Sequence, residues 1–316
     1  MTQRTLLLLA GLLLTAGLSA QQVDMSLFKE MKTRNIGPAG MSGRVTDIAV
    51  VERDPDHIYI GTAAGGVWKT ENSGHTWTPI FDEQPAAGIG DVTIYQKNPN
   101  IIYVGTGEGN PRNSQNSGRG MFKTIDGGRT WTFLGLENTR QIHRVIVPPD
   151  NPDHVVAGVT GASWGDSKDR GVYVSTDGGK NWEKTLYLNE RTGVADMVID
   201  PNNPNKIAVA MWEHRRWPWF FKSGGAGSGI YLSHDGGMTW EKTSKGLPQG
   251  ELGRIGLSFA TNVPDMLYAY VESKSNAVYR STDGGFTWER RSKPGDGGIG
   301  GRPFYYADIY VDPNNE

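Results

Sequence analysis

The chain has 316 residues, 43 of them glycine, 17 proline and none cysteine, with a formal net charge of −2. That balance leaves no basic footprint for nucleic acid or for an anionic membrane surface. The missing thiols exclude disulfides, thiolate metal sites and a cysteine nucleophile, and a charged fraction of 21% is too ordinary for a disordered chain.

Residues 1–20 read as an export signal. Arg4 precedes an apolar run from Leu6 to Leu14, and the small pair Ser19-Ala20 ends it. A run this short does not span a bilayer. The expected location is therefore periplasmic, secreted or cell-surface, without membrane insertion once the signal is removed. Residues 21–40 form an N-terminal segment placed to cap the folded body or to add a closing strand to it.

From residue 41 the chain repeats. The pattern Ser/Thr-x-Asp-x-Gly-x-Thr-Trp begins at Thr70, Thr124, Ser175, Ser233 and Ser281. Asn72 replaces the Asp in the first copy and Asn181 the Thr in the third. The closing residues Trp77, Trp131, Trp182, Trp240 and Trp288 recur about every 50 residues, which marks a repeat architecture. Short β-branched and aromatic runs flank each copy, so each is a hairpin turn. The Asp accepts turn N–H groups, the Gly takes a positive φ, and the Trp packs between units. Turn aspartates usually bond backbone, which weighs against a cation site there.

A Pro-centred turn precedes each copy, at Pro55, Pro99, Pro152, Pro204 and Pro264. Each unit then holds four strands, A to D, with the Pro turn between A and B and the repeated pattern between C and D. Four-stranded units at this period are propeller blades. The expected fold is an all-β propeller with blades at about 41–87, 88–139, 140–190, 191–250 and 251–300. Asp308-Ile309-Tyr310-Val311-Asp312-Pro313 repeats Asp196-Met197-Val198-Ile199-Asp200-Pro201, so 301–316 should open a sixth blade. A propeller closes to hide its strand edges, so the remainder of a ring of seven or more blades is expected beyond Glu316.

This pattern is the Asp-box, or BNR repeat, and residues 35–316 resemble Asp-box propellers: sialidases, xyloglucan-hydrolysing enzymes, sortilin-type receptors and secreted bacterial glycosyl-hydrolase-like proteins. The sialidase signature Phe-Arg-Ile-Pro is absent, and the nearest stretch is Gly43-Arg44-Val45-Thr46. The xyloglucan family carries Arg-Thr-Asp-x-Gly-Gly-Ala-Tyr in its first blade, its Asp catalytic. Here Gly61-Thr62-Ala63-Ala64-Gly65-Gly66-Val67-Trp68 keeps the glycines and puts Ala63 where that acid stands. Sortilin-type propellers bind peptides and imply no catalytic residue.

The Pro turns and Asp-boxes share one face, so chemistry is expected on the other, among the B–C loops and the entry ends of the inner strands. Eight residues before the Pro of each turn stand Asp47, Asp91, Arg144, Asp196 and Gly256, with Asp308 as the counterpart in the sixth unit. These carboxylates should surround the channel mouth, either for acid/base work or a cation, or else bonded to N–H groups of the next blade, which a recurring repeat residue favours. Asp47, Asp91, Glu108, Asp196 and Asp308 are the candidate catalytic acids. The longest B–C segment, Met211–Lys222, carries Trp212, His214, Arg215, Arg216, Trp217 and Trp219. With Arg144, these are the candidate ligand contacts, stacking on a sugar or gripping a peptide; an aromatic plug over the channel is the other reading. His57, His75, His154 and His234 read as solvated or structural, while His143 and His214 fall on the candidate face. No His pair has metal-ligand spacing, so no metal or cofactor is expected. The leading expectation is a sortilin-like binding propeller for an extracellular polypeptide or glycan; the alternative is a polysaccharide hydrolase using two carboxylates.

Overall fold

The computed structural model describes Asp24, Ser26, residues 44–293 and residues 300–316. The expected export signal and most of segment 21–40 lie outside the described residues. The chain divides into Met1–Ile36 and Gly37–Glu316. In the first unit the Ser26 amide donates to Asp24 Oδ1 at 2.9 Å. Among the described residues no helix is long and apolar enough to cross a membrane.

The second unit is a β-propeller built of consecutive antiparallel sheets. The first holds β1 (Val45–Val50), β2 (Ile58–Thr62), β3 (Val67–Thr70) and β4 (Thr78–Pro79), and the second β5 (Ile89–Ile94), β6 (Ile102–Thr106), β7 (Met121–Thr124) and β8 (Thr132–Phe133). The third holds β9 (Ile142–Ile146), β10 (Val155–Val159), β11 (Gly171–Ser175) and β12 (Glu183–Leu186). The fourth holds β13 (Thr192–Asp200), β14 (Asn203–Trp217), β15 (Phe220–Ser223), β16 (Gly229–Ser233) and β17 (Glu241–Thr243). The fifth holds β18 (Ile255–Phe259), β19 (Leu267–Val271), β20 (Ala277–Ser281) and β21 (Glu289–Arg290). The inner strands β1, β5, β9, β13 and β18 pack successively against one another.

The Asp-box turns form as their chemistry requires. Asp126 Oδ1 accepts the amides of Arg129 and Thr130 and the Thr124 hydroxyl, and Oδ2 accepts the Thr130 hydroxyl at 2.6 Å. Asp177, Asp235 and Asp283 repeat this cage. The turn's own donors thus occupy the oxygens of each Asp. The tryptophans join blades: Trp131 Nε1 donates to Ile80 O at 2.7 Å and Trp182 Nε1 to Leu134 O at 2.8 Å. Burial between blades is made by apolar side chains seated on glycine. A Cβ on Gly61 would stand 2.7 Å from Ile89 Cγ2, and one on Gly105 2.8 Å from Ile142 Cγ2.

Two elements differ from the sequence expectation. The segment read as a long B–C insertion is a β-ribbon: β14 runs on past the sheet and pairs with β15, His214 opposite Ser223 and Trp217 opposite Phe220. Pro204 lies inside β14, and the turn sits at Pro201-Asn202, with Asp200 paired to Asn203. The stretch from Asp308, expected to open an inner strand, forms no ladder; Val311 N donates to Ser258 Oγ at 3.2 Å beside β18.

Candidate functional site

The entry ends of the inner strands converge on a cavity of about 700 Å3 lined by Asp47, Asp91, Arg144, Asp196, Asp308, His143 and Asn110 among others. The period-2 alternation of each strand buries one face against the next blade and turns the residue eight before the Pro toward the channel. Asp47 Oδ2 accepts the Val92 amide of the second blade at 2.7 Å, and Asp196 Oδ2 accepts the Leu257 amide of the fifth at 2.8 Å. The repeated Asp is thus an inter-blade staple at these two positions. Arg144 stands where its neighbours carry Asp. Its Nε donates to Asp196 Oδ1 at 2.7 Å, and its NH2 lies 3.6 Å from Asp308.

This network sets the protonation of the channel. Burial, and then the Asp47 carboxylate, push Asp91 up to about 7, against the pull of Arg144, the Thr93 hydroxyl and the Val145 amide. Burial also raises Asp47, against the Val92 amide and Arg144. Burial works against the charged Arg144, yet Asp196, Asp91 and Asp308 overcome it and hold the guanidinium above its ordinary value. Burial, with Arg144 and Arg254 nearby, keeps His143 neutral, well below the usual histidine range.

Glu108, read as a candidate acid, is 1% exposed and is held by Arg44, whose Nε and NH2 donate to its two oxygens at 2.9 and 2.6 Å. The guanidinium fork thus occupies both oxygens of the carboxylate. Ala63, where the resemblance puts an acid, is fully buried; its amide donates to Arg44 O and its carbonyl accepts from Asn116 Nδ2.

The ribbon divides its side chains by face. Trp212, His214 and Arg216 are buried. Trp212 stacks on His214 with centroids 4.1 Å apart, and Arg254 lies over the Trp212 ring. Both Trp212 and His214, expected as ligand contacts, are therefore core side chains. Burial and Arg170 hold His214 neutral. On the other face Arg215 lies over Trp217 at 5.2 Å, while Trp219, at the turn, is 83% exposed and Phe220 next to it is exposed.

Three residues of the face carry more of its architecture than their sequence signal suggested. Arg254 NH1 donates to Asn110 Oδ1 at 2.7 Å and to Phe304 O at 3.1 Å. Arg216 donates to Asn113 Oδ1 at 2.6 Å, to Tyr305 Oη at 2.9 Å and to the Pro111 carbonyl. The blade-2 loop is thereby pinned across the channel mouth by arginines of blades 4 and 5. Asn110, the residue between loop and channel, had only its place in a Gly-rich stretch to mark it. No cluster of three or more His, Asp or Glu among the described residues is arranged to hold a metal ion.

A BNR/Asp-box repeat model matches residues 173–184 and 231–242. No curated protein matches the chain. Among solved structures, an ancestral GH74 enzyme superposes with a TM-score of 0.62 at 21% identity, over 87% of this chain and 34% of that one. A GH74 enzyme of Niastella koreensis superposes with 0.64 at 20% identity, over 86% of this chain and 42% of that one. The chain thus spans well under half the length of either. At this identity the likeness is one of fold: the chain is a BNR-repeat β-propeller.

Proposed function

We propose that the chain forms the ligand-binding wall of an exported propeller, and that its B–C loop face takes an extracellular polypeptide or glycan in the manner of sortilin-type domains. The observation that carries this reading is the tip of the ribbon. A two-stranded element, anchored by buried Trp212, His214 and Arg216, holds Trp219 at 83% exposure beside exposed Phe220. An aromatic plate left exposed at such a tip suits stacking on sugar or peptide. The test is affinity electrophoresis of the full chain against a panel of plant and bacterial polysaccharides and unstructured peptides. Trp219→Ala should weaken the bound ligand about ten-fold with the unfolding midpoint unchanged. Undiminished binding by Trp219→Ala would remove the ribbon tip from the site.

One observation favours glycoside hydrolysis as a second reading. Asp91, whose pKa is pushed up to about 7, shares the channel cavity with Asp47, and a raised carboxyl group beside a second carboxyl is the kind of pair such chemistry uses. Release of reducing sugar from xyloglucan or another polysaccharide, lost in Asp91→Asn, would establish it. Turnover that survives Asp91→Asn, or none on any polysaccharide, would dismiss it.

A further inference from the structure

Beside the blade-2 loop lies a further cavity of about 370 Å3 lined by Arg112, Asn113, Ser114, Arg302, Tyr305 and Tyr306. No carboxylate lines it. Among the described residues neither Arg112 nor Arg302 has an acidic side chain within ion-pair distance. Behind Asn113 and Tyr305 stands the buried guanidinium of Arg216, which rests on neutral acceptors alone and whose Nε has no partner. A buried guanidinium bonded to neutral acceptors alone is costly, and Arg216 is one. One sign of charge lining a low-dielectric cleft draws the opposite sign into it.

The remaining wall is aromatic. Arg112 lies over the Tyr305 ring at 5.8 Å, Tyr305 meets Tyr306 with centroids 6.1 Å apart, and Tyr306 is 64% exposed. Planar guanidinium forks match a carboxylate in two hydrogen bonds, a tyrosine face takes the flat side of a sugar ring, and Asn113 and Ser114 supply hydroxyl partners. The volume suits a small ligand unit. We infer that this cavity is a binding subsite for a uronic acid residue of an acidic polysaccharide, with Arg112 and Arg302 holding the carboxylate and Tyr306 the ring. A peptide carboxylate would satisfy the arginines and leave the exposed tyrosine face without a use.

The inference stands apart from the ribbon-tip reading, because it uses different residues and a charged ligand. It is tested on the full chain with polygalacturonate, its fully methyl-esterified form, dextran sulfate and poly-glutamate, by titration calorimetry at several salt concentrations. Polygalacturonate should bind with affinity falling as salt rises, and the esterified polymer about ten-fold more weakly or worse. Arg302→Ala and Arg112→Ala should each reproduce that loss, Arg112→Lys part of it, and Tyr306→Ala should weaken binding at all salt concentrations. Arg53→Ala, on the opposite face, should leave polygalacturonate binding as it was. Equal binding of the esterified polymer, indifference to Arg112→Ala and Arg302→Ala, or dextran sulfate or poly-glutamate binding as tightly as polygalacturonate would overturn the assignment. Because Arg302 is exposed and Arg112 only half-buried, the substitutions leave the core untouched, and a matched thermal unfolding curve confirms that each variant is folded.

Discussion

At the scale of single residues, Asp91 has the most distinctive behaviour. Its folded pKa lies near 7, above the ordinary carboxylate value, so the folded chain binds a proton there that the unfolded chain has already lost. The stabilisation is therefore fully present below about pH 4 and drains away as pH rises through 7, at up to about 1.4 kcal/mol per pH unit. Asp91→Asn keeps the shape without the titration. Denaturant unfolding across pH 4.5–7.5 should show wild type losing stability relative to Asp91→Asn as pH rises. Parallel curves would mean that the carboxyl is ionised throughout. Asp-box aspartates such as Asp126 and Asp177, held low by the side-chain and amide donors of their turns, titrate below this window and do not confuse the comparison.

At the scale of the element, the Asp-box tryptophan separates two contributions to blade docking. Trp131 packs edge-on against Phe81 with centroids 5.0 Å apart and donates to the Ile80 carbonyl. Trp131→Phe removes the hydrogen bond and leaves most of the plate, at a cost of about 1 kcal/mol. Trp131→Ala removes both, at about 3 kcal/mol. Denaturation midpoints of the two variants check the ratio, and equal losses would mean that packing plays no part. This element was legible in the sequence, because turn chemistry, a fixed period and an aromatic terminus all specify the same hairpin. The ribbon was not. Its side chains do alternate, Trp212, His214 and Arg216 in and Glu213, Arg215 and Trp217 out. Two of the inward residues, however, are His and Arg, so hydropathy shows no period-2 signal. The burial of Arg216 depends on acceptors from a loop about a hundred residues away. The same limit hid the fate of Glu108, since local sequence does not reveal that Arg44 claims both of its oxygens. The channel carboxylates and Arg144 in their midst could be found because the Pro turns align the blades, but the partners that Arg144 takes needed the third dimension.

At the scale of the whole molecule, the question is how far blades act independently. In a repeat array each unit touches its neighbours, and stability approaches a sum of unit and nearest-neighbour contributions. The arginines of the loop face break that rule. Arg216 of the fourth blade and Arg254 of the fifth reach over the third to the loop of the second, the Arg254–Asn110 contact bridging 144 positions of sequence. Each bond is part-buried and each guanidinium buried, so losing the Asn partner leaves the arginine short of an acceptor. Arg254→Met and Asn110→Ala should therefore couple: the double variant should be less destabilised than the sum of the single variants, by about 1 kcal/mol or more. A control pair, Arg254→Met with Trp182→Phe on the opposite face, should add without coupling. Equilibrium unfolding of the four-member cycle measures both numbers. Additivity in the first cycle would return the molecule to a chain of independent neighbours. Coupling there means that the loop across the channel mouth ties blades 2, 4 and 5 into one cooperative unit, and that a ligand displacing Asn110 or Asn113 would be felt across the arc.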